Sequence, residues 1–320
     1  MRKQLSVTLA CFLLASVSAS AQGWRTYEEA AQGKAYEKSD CVTLLDSTLV
    51  SVQPTGQGSF AVCKVIKVRT PKGAVSIRDI KYDNDPLTAN AEIQRVVYRA
   101  VGNVENLDVT KTCDYAAPAR AIYWGARQIM LEVGALQPGD IVDYEIAKKG
   151  FTYALLAATQ EDDSKFIPPM RGQFYDIVPF WSSHPTVRKV YKVVVPMEKE
   201  MQFQFYQGEC ASSMRYEDGR KAYTFAMNDM MPFGREPNMV DLFDAAPKLM
   251  MSSTPQWQDK SLWFNKVNED YGSFAPLPEA QKKVDELIKG KKTEMEKIAV
   301  LTLREADNIR YAGISMGKGE

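Results

Sequence analysis

Between Cys41 and about Met227, apolar residues recur with the period-two spacing of strands whose two faces differ. Val42, Leu44, Leu49, Val50 and Val52 form a β-rich segment that ends at the turn residues Pro54-Thr55-Gly56-Gln57-Gly58. Phe60 to Val68 alternates: Val62, Lys64, Ile66 and Val68 share one face, and Cys63, Val65 and Lys67 share the other. Pro71-Lys72-Gly73 is a turn ahead of Val75, Ile77 and Ile80. Ile93 to Val101 and Val104 to Leu107 flank Gly102-Asn103, a two-residue hairpin signal. Further strands are predicted at Ile129 to Val133, Ile141 to Ile146, Val187 to Val195, Met201 to Tyr206 and Tyr223 to Met227. Short strands with turn signals about every 8–12 residues indicate a β-sandwich or barrel-like fold without a helical layer.

The pattern changes after Met227. Residues 228–255 are rich in Pro and Met, lack a period, and read as an ordered linker that wraps or docks. From Trp257 onward the period is helical. Trp257, Leu262, Trp263 and Val267 mark one amphipathic helix. Pro278 opens a second, with Ala280, Val284, Leu287 and Ile288 on one face and Gly290 as its stop. Thr293 with Glu296 forms a capping box for a third, whose apolar face is Met295, Ile298, Ala299, Leu303, Ala306 and Ile309. The expected fold class is therefore mainly β: a β-sandwich-like domain over residues 22–227, a linker over 228–255, and a short helical segment over 256–320. Three such helices bury too little to stand alone and read as the opening of a further domain.

The first 21 residues carry a different signature. Arg2 and Lys3 precede an apolar run from Leu5 to Val17, and Ala19-Ser20-Ala21 supplies the small-x-small site. Cleavage after Ala21 is expected to leave Gln22 at the N-terminus of a periplasmic or secreted protein. The run is shorter than the roughly 20 apolar residues of a bilayer span, and no later stretch qualifies as a transmembrane span. Lipidation at Cys11 fits poorly, because Thr8 precedes it and almost no apolar run does.

Removing residues 1–21 leaves 299, enough for about two domains, with 38 basic against 40 acidic side chains. That near-neutral balance points to neither nucleic acid nor an anionic membrane as partner. Fifteen Tyr, five Trp and 45% hydrophobic residues argue for a packed globule. The remaining cysteines, Cys41, Cys63, Cys113 and Cys210, allow up to two disulfides in an oxidising compartment, with four free buried thiols as the alternative.

Candidate chemistry is sparse. His184 is the single histidine, so any triad would have to use it with Cys113 or Cys210. It lies in the turn-like Ser182-Ser183-His184-Pro185 and reads as a loop histidine; Cys113 reads as a structural thiol. Glu161-Asp162-Asp163 lacks the spaced oxygens of a calcium loop and reads as a solvated turn. A zinc site would need a second histidine or close cysteine pairs. Gly-rich phosphate loops are absent from the sequence, and no cofactor is indicated. Tyr123, Trp124, Phe180 and Trp181 read as packing aromatics, with stacking on a sugar or peptide as the alternative.

Four segments carry a family resemblance: Leu136-Gln137-Pro138-Gly139-Asp140-Ile141-Val142-Asp143-Tyr144-Glu145-Ile146, Met231-Pro232-Phe233 with Glu236-Pro237, Ser253-Thr254-Pro255-Gln256-Trp257, and Ile309-Arg310-Tyr311. In their order and spacing the chain resembles a bacterial envelope family in which an N-terminal β-rich domain of unknown function precedes a transglutaminase-like domain. The resemblance implies a papain-like α+β core performing acyl transfer with a Cys-His-Asp arrangement. Its cysteine would follow the Arg-Tyr segment at a helix N-terminus, where the thiol pKa is lowered. This sequence stops nine residues after Tyr311, with no cysteine beyond Cys210 and no histidine beyond His184. It is therefore expected to be cut off before the nucleophile, and no catalytic, cofactor-binding or metal-binding residue carries over. Two readings follow. One is a non-catalytic accessory or binding region of a transglutaminase-like, cysteine-protease-like protein. The other is a complete envelope binding module for a polysaccharide, peptide or protein.

Overall fold

The computed structural model describes residues 25–33, 36–86, 88–100, 103–117, 126–152, 172–272 and 275–308. The expected signal sequence with Cys11, Tyr123 and Trp124, Glu161-Asp162-Asp163 and Ile309-Arg310-Tyr311 lie outside the described residues.

The largest sheet has eight strands in the order β12 (Ala211–Glu217), β13 (Arg220–Met230), β10 (Thr186–Pro196), β1 (Cys41–Val52), β2 (Gly58–Val68), β8 (Ile141–Gly150), β4 (Ala89–Ala100) and β5 (Asn103–Asn106). Every neighbouring pair is antiparallel except β1 and β10. A parallel pair needs a long crossover, and the chain between residues 52 and 186 supplies it. Two smaller sheets complete the β structure: β3 (Asp79–Asn84), β7 (Arg127–Glu132) and β6 (Cys113–Ala116), and β11 (Gln202–Tyr206), β14 (Lys248–Ser252) and β9 (Tyr175–Pro179).

Directly opposed residues share a face, so the registers Val50↔Phe60, Val50↔Val193, Val62↔Ile146 and Ile93↔Ile146 define one buried side of the large sheet. Two apolar clusters lie along it. In one, Ile80, Ile129 and Leu131 of the first small sheet pack on Ile93, Val96, Val142 and Ile146. In the other, Val178, Leu249 and Met251 of the second pack on Val50, Phe60, Val193 and Phe225. The mainly β, two-layered architecture agrees with the sequence reading. The second layer is two separate sheets, however, and among the described residues no sheet closes into a barrel.

The opposite face is covered in part by the N-terminal segment. Ala31 and Tyr36, following helix α1 (Arg25–Ala30), pack with Leu45, Val65 and Ile141, and Glu28 pairs with Lys67 at 2.7 Å. Further along that face Arg95 grips buried Asp143 through two nitrogens at 2.8 and 3.0 Å and reaches Glu145 at 3.0 Å. Removing the guanidinium would strand buried Glu145 and leave Asp143 only the longer contact to Arg99 at 3.5 Å, a loss of about 3 kcal/mol.

Several elements depart from expectation for local reasons. Pro71 begins not a turn but a short helix, α2 (Pro71–Ser76), because Thr70 caps it by accepting from the Gly73 N–H at 3.1 Å and proline is preorganised at its first position. Val75, expected in a strand, is consequently 75% exposed. The hairpin closes one residue earlier than expected, with Ala100 opposite Asn103. Residues 228–255, expected as a linker, hold the end of β13, a short helix α3 (Leu242–Ala245) capped by Asp241, and β14, the central strand of its sheet. Lys248-Leu249-Met250-Met251-Ser252 alternates over only five residues, too few for its period to stand out between Pro247 and Pro255.

The chain divides into two compact units, with the β structure through Gln256 in the first and the helices from Trp257 in the second. The second contains α4 (Trp257–Tyr271), α5 (Pro278–Ile288) and α6 (Glu294–Asn308). Its capping box is reciprocal: Glu296 accepts from the Thr293 N–H at 3.0 Å, and Thr293 Oγ1 accepts from the Glu296 N–H at 3.2 Å. Gly290, beyond the end of α5, adopts φ +81°. Among the described residues no helix is long and apolar enough to cross a membrane.

The turn after β1 gives a direct test of the packing. Gly56 has φ +87°, and a Cβ there would stand 2.2 Å from the Gln173 carbonyl oxygen. Gly56→Ala should therefore destabilise the protein by about 2 kcal/mol. The check is urea unfolding: the midpoint should fall at constant slope, and an unchanged midpoint would contradict this close approach.

Candidate functional site

The apolar clusters are separated by a polar seam on the middle strands of the buried face. Asp46 in β1 lies directly opposite Lys64 in β2 and Lys189 in β10. Lys189 Nζ donates to Asp46 Oδ2 at 3.0 Å, and Lys64 Nζ lies 3.3 Å from the same oxygen. Asp46 and Lys189 are buried, whereas the Lys64 side chain keeps 36% of its surface and opens the trio to solvent. Lys189 also lies over the Phe180 ring, 5.6 Å from its centroid.

The two smaller sheets each send one group to this seam. Ile80 on β3 is in the core, and period two aims Tyr82 the same way. Val178 on β9 is likewise in the core, which aims Asp176 inward, where it accepts from the Tyr191 hydroxyl at 2.6 Å. Tyr144 stands opposite Lys64 in β8; Lys148, opposite Phe60, holds its ammonium 5.0 Å from that ring's centroid. β3 and β9 are edge strands of their sheets.

Burial and pairing compete throughout. Burial alone would raise the Asp46 pKa, but the ammonium groups of Lys189 and Lys64 reverse this and hold it at about 2. Lys64 is raised by Asp46. Lys189, more deeply buried and sharing its carboxylate, is lowered. Burial raises Asp176 and lowers Lys148. Tyr82, Tyr144 and Tyr191 are all raised by burial, so their hydroxyls stay protonated and can donate. The seam thus offers ammonium and phenol donors in a partly dry setting, where such contacts are stronger than in water.

The residues weighed from sequence fall elsewhere. His184 is half-buried in the turn before β10; its backbone N–H donates to Ser182 Oγ at 3.2 Å, and burial lowers its pKa against the pull of Asp40. Cys113 is exposed on β6, and Cys210 packs at the margin of the second apolar cluster. Among the described residues no hydrogen bond joins either thiol to His184. The four cysteines among the described residues are free thiols. Burial raises Cys41 and Cys210, and burial beside Asp143 and Glu145 pushes Cys63 up to about 12. Phe180 packs edge-on against Phe205 at 5.1 Å, and Trp181 against Phe243 at 4.8 Å. Among the described residues no group of His, Cys, Asp or Glu is arranged to hold a metal ion.

Sequence reasoning missed the seam, although it left a signal. Lys64 sits between Val62 and Ile66, and Lys189 between Val187 and Tyr191. A charge flanked at i±2 by residues of a buried face must be paired within that face or reach out of it.

The depressed Asp46 pKa fixes the sign of a pH effect. Its contribution to stability is full above the usual carboxylate range and is lost as pH falls toward the folded value. Asp46→Asn should cost about 3 kcal/mol near neutral pH, and the gap from wild type should narrow as pH falls from about 4 to about 2. Urea unfolding at both extremes measures it, and a gap equal at both would contradict the pairing.

Comparisons with known proteins place the chain in a family. No curated protein matches the chain. A crystal structure of a protein from Parabacteroides distasonis, named a "putative protease", superposes with a TM-score of 0.63 at 11% identity. The match covers 84% of this chain and 50% of that one, so the chain spans half the length of this relative. The M1 zinc metallopeptidase of Deinococcus radiodurans and its E323A mutant also match, at TM-scores of 0.34 and 0.35 and 13% and 12% identity. They cover 67% of this chain and 42% of the metallopeptidase, and at those scores they bear no weight. The model of the Domain of Unknown Function family DUF3857, a family with a solved structure, matches residues 54–233, from the turn after β1 to just beyond β13, and the chain belongs to that family.

Proposed function

We propose that this chain is the exported, non-catalytic, β-rich accessory region of a transglutaminase-like protein, and that its β unit presents a substrate or docks a partner for acyl-transfer or peptide-cleaving chemistry. The observation that carries this reading is the shared fold. The P. distasonis protein is named for proteolysis, and the region matched is half of it. Two features support it. Ser253-Thr254-Pro255-Gln256-Trp257 leads into α4, as the resembled core would have it. Burial raises the thiols of Cys41, Cys63 and Cys210, whereas a cysteine nucleophile needs a lowered pKa and an oriented base.

Two measurements test the reading. With amine-acceptor and peptide substrates the mature chain should show no turnover, and thiol reagents should modify exposed Cys113 first, leaving Cys41 and Cys63 protected until unfolding. Rapid stoichiometric labelling of one cysteine, lost on His184→Ala, would show a working nucleophile and sink the proposal. Export is tested separately. Expressed in a Gram-negative host, the protein should be recovered from the periplasm with Gln22 as its first residue by intact mass; retention of residues 1–21, or a lipid on Cys11, would refute it.

A further inference from the structure

We propose that two copies of this chain associate through β12, an edge of the eight-stranded sheet, with the two strands antiparallel about a two-fold axis at Met214. The proposal goes beyond the accessory reading and does not rest on it.

Among the described residues β12 is the longest edge strand, with seven residues against six in β3, five in β9 and β11, and four in β5 and β6. It pairs on one side only, with β13, and without a bulge. Six of its seven residues are exposed. Proteins blunt such edges with proline, with lysine, or with side chains that take up the free backbone groups. β3 carries Lys81 and runs into Pro86. At β9 Thr152 Oγ1 donates to the Tyr175 carbonyl at 2.7 Å, and Pro179 has no N–H. β12 contains neither proline nor lysine. An edge left open over this length is a template for another strand.

The turn after β12 decides which backbone groups are free. Asp218 and Gly219, with φ +48° and +72°, form a two-residue loop flanked by the pair Glu217↔Arg220. The pair that closes such a hairpin exchanges both its hydrogen bonds, and bonded pairs then alternate along the ladder. Arg215↔Ala222, Ser213↔Thr224 and Ala211↔Ala226 are therefore bonded to β13. Ser212, Met214 and Tyr216 turn their N–H and C=O groups to the open edge.

A second β12 laid antiparallel with Met214 opposite Met214 is the one register that overlaps the whole strand. It also sets Ser212 opposite Tyr216, so every outward-bonding residue meets another. On the face shared with Tyr223 and Phe225 the two methionines meet at the axis, and each tyrosine stands against a serine, large against small. On the other face Arg215 stands against Ser213 and Glu217 against Ala211, so no like charges are directly opposed. Bonding, size and charge are thus met by the strand's own sequence, which singles out a second copy as the occupant. Seven residues a side make an interface below the standard size, so the dimer is a weak one.

Sedimentation equilibrium of the mature chain tests this. The mass should rise from that of a monomer toward that of a dimer between roughly 10 μM and 1 mM. Met214→Lys places two ammonium groups opposite each other at the axis and should weaken association about tenfold. Val104→Lys, on exposed β5 at the other end of the sheet, should leave association unchanged. Met214 and Val104 are both exposed, so both variants should keep the wild-type urea midpoint. A second readout does not depend on Met214→Lys folding. The Cα atoms of a bonded antiparallel pair stand about 5.5 Å apart, within disulfide reach. Met214→Cys in a Cys113→Ser background should therefore form an inter-chain disulfide on mild oxidation, while the Cys113→Ser parent should not. A monomer at every concentration, assembly that grows past the dimer, or Met214→Lys associating as wild type does would overturn the proposal. So would equal weakening by Val104→Lys, or Met214→Cys that stays unlinked.

Discussion

A buried carboxylate shared by two lysines sets the terms for the rest of this fold. Asp46, Lys64 and Lys189 lie on adjacent strands, directly opposite one another, at the centre of the face that the large sheet buries. Strand side chains alternate with period two, so a slip of one residue in either pairing would carry a lysine to the far face and leave Asp46 buried and alone. The row therefore ties the register of β1 to both neighbours more strictly than interchangeable valines would. It also shapes the second layer. An apolar sheet laid across these charges would desolvate them without adding partners. The covering layer instead comes as two small sheets over the apolar stretches on either side.

The strands with long alternating runs were legible in the sequence. Phe60 to Val68 and Val187 to Val195 lie within one residue or two of the observed β2 and β10. The helical caps at Pro278, Gly290 and Thr293 were also legible, because capping chemistry is local. The elements that escaped are those whose stability comes from elsewhere in the chain. β14 is a strand because β9 and β11 hold it on both sides, from positions about 45 to 75 residues away. β12 is exposed over nearly its whole length and shows no apolar face to detect. Pro71 shows the reverse case, where a cap at Thr70 outweighed a turn signal.

The candidate site was less legible than the fold for a related reason. A catalytic reading of a sequence searches for reactive residue types, and here that search leads to His184 and the cysteines. The seam is made of lysine, aspartate and tyrosine, which are common on any surface, and only the pairing and packing of six strands bring them together. Family membership and a shared fold do not supply the missing step, since one architecture hosts many activities. What distinguishes the seam is its cost: charged and phenolic groups are kept partly dry where aliphatic residues would have packed.

The one parallel pairing in the large sheet has a consequence for how the molecule is made. β1 and β2 form a hairpin closed by a short turn, but the other neighbour of β1 begins at Thr186, over a hundred residues further along. A chain synthesised from its N-terminus must carry Val50 and Val52, later fully buried, on an open strand edge until that segment arrives. Long-range closure of this kind is slow, because a large loop must be ordered before any contact rewards it. Over that interval Lys64 can already pair locally with Asp46, while Lys189 cannot. The half-formed sheet would then hold its carboxylate against one cation, and the arrival of β10 would complete the charge pairing and cover the edge in a single event.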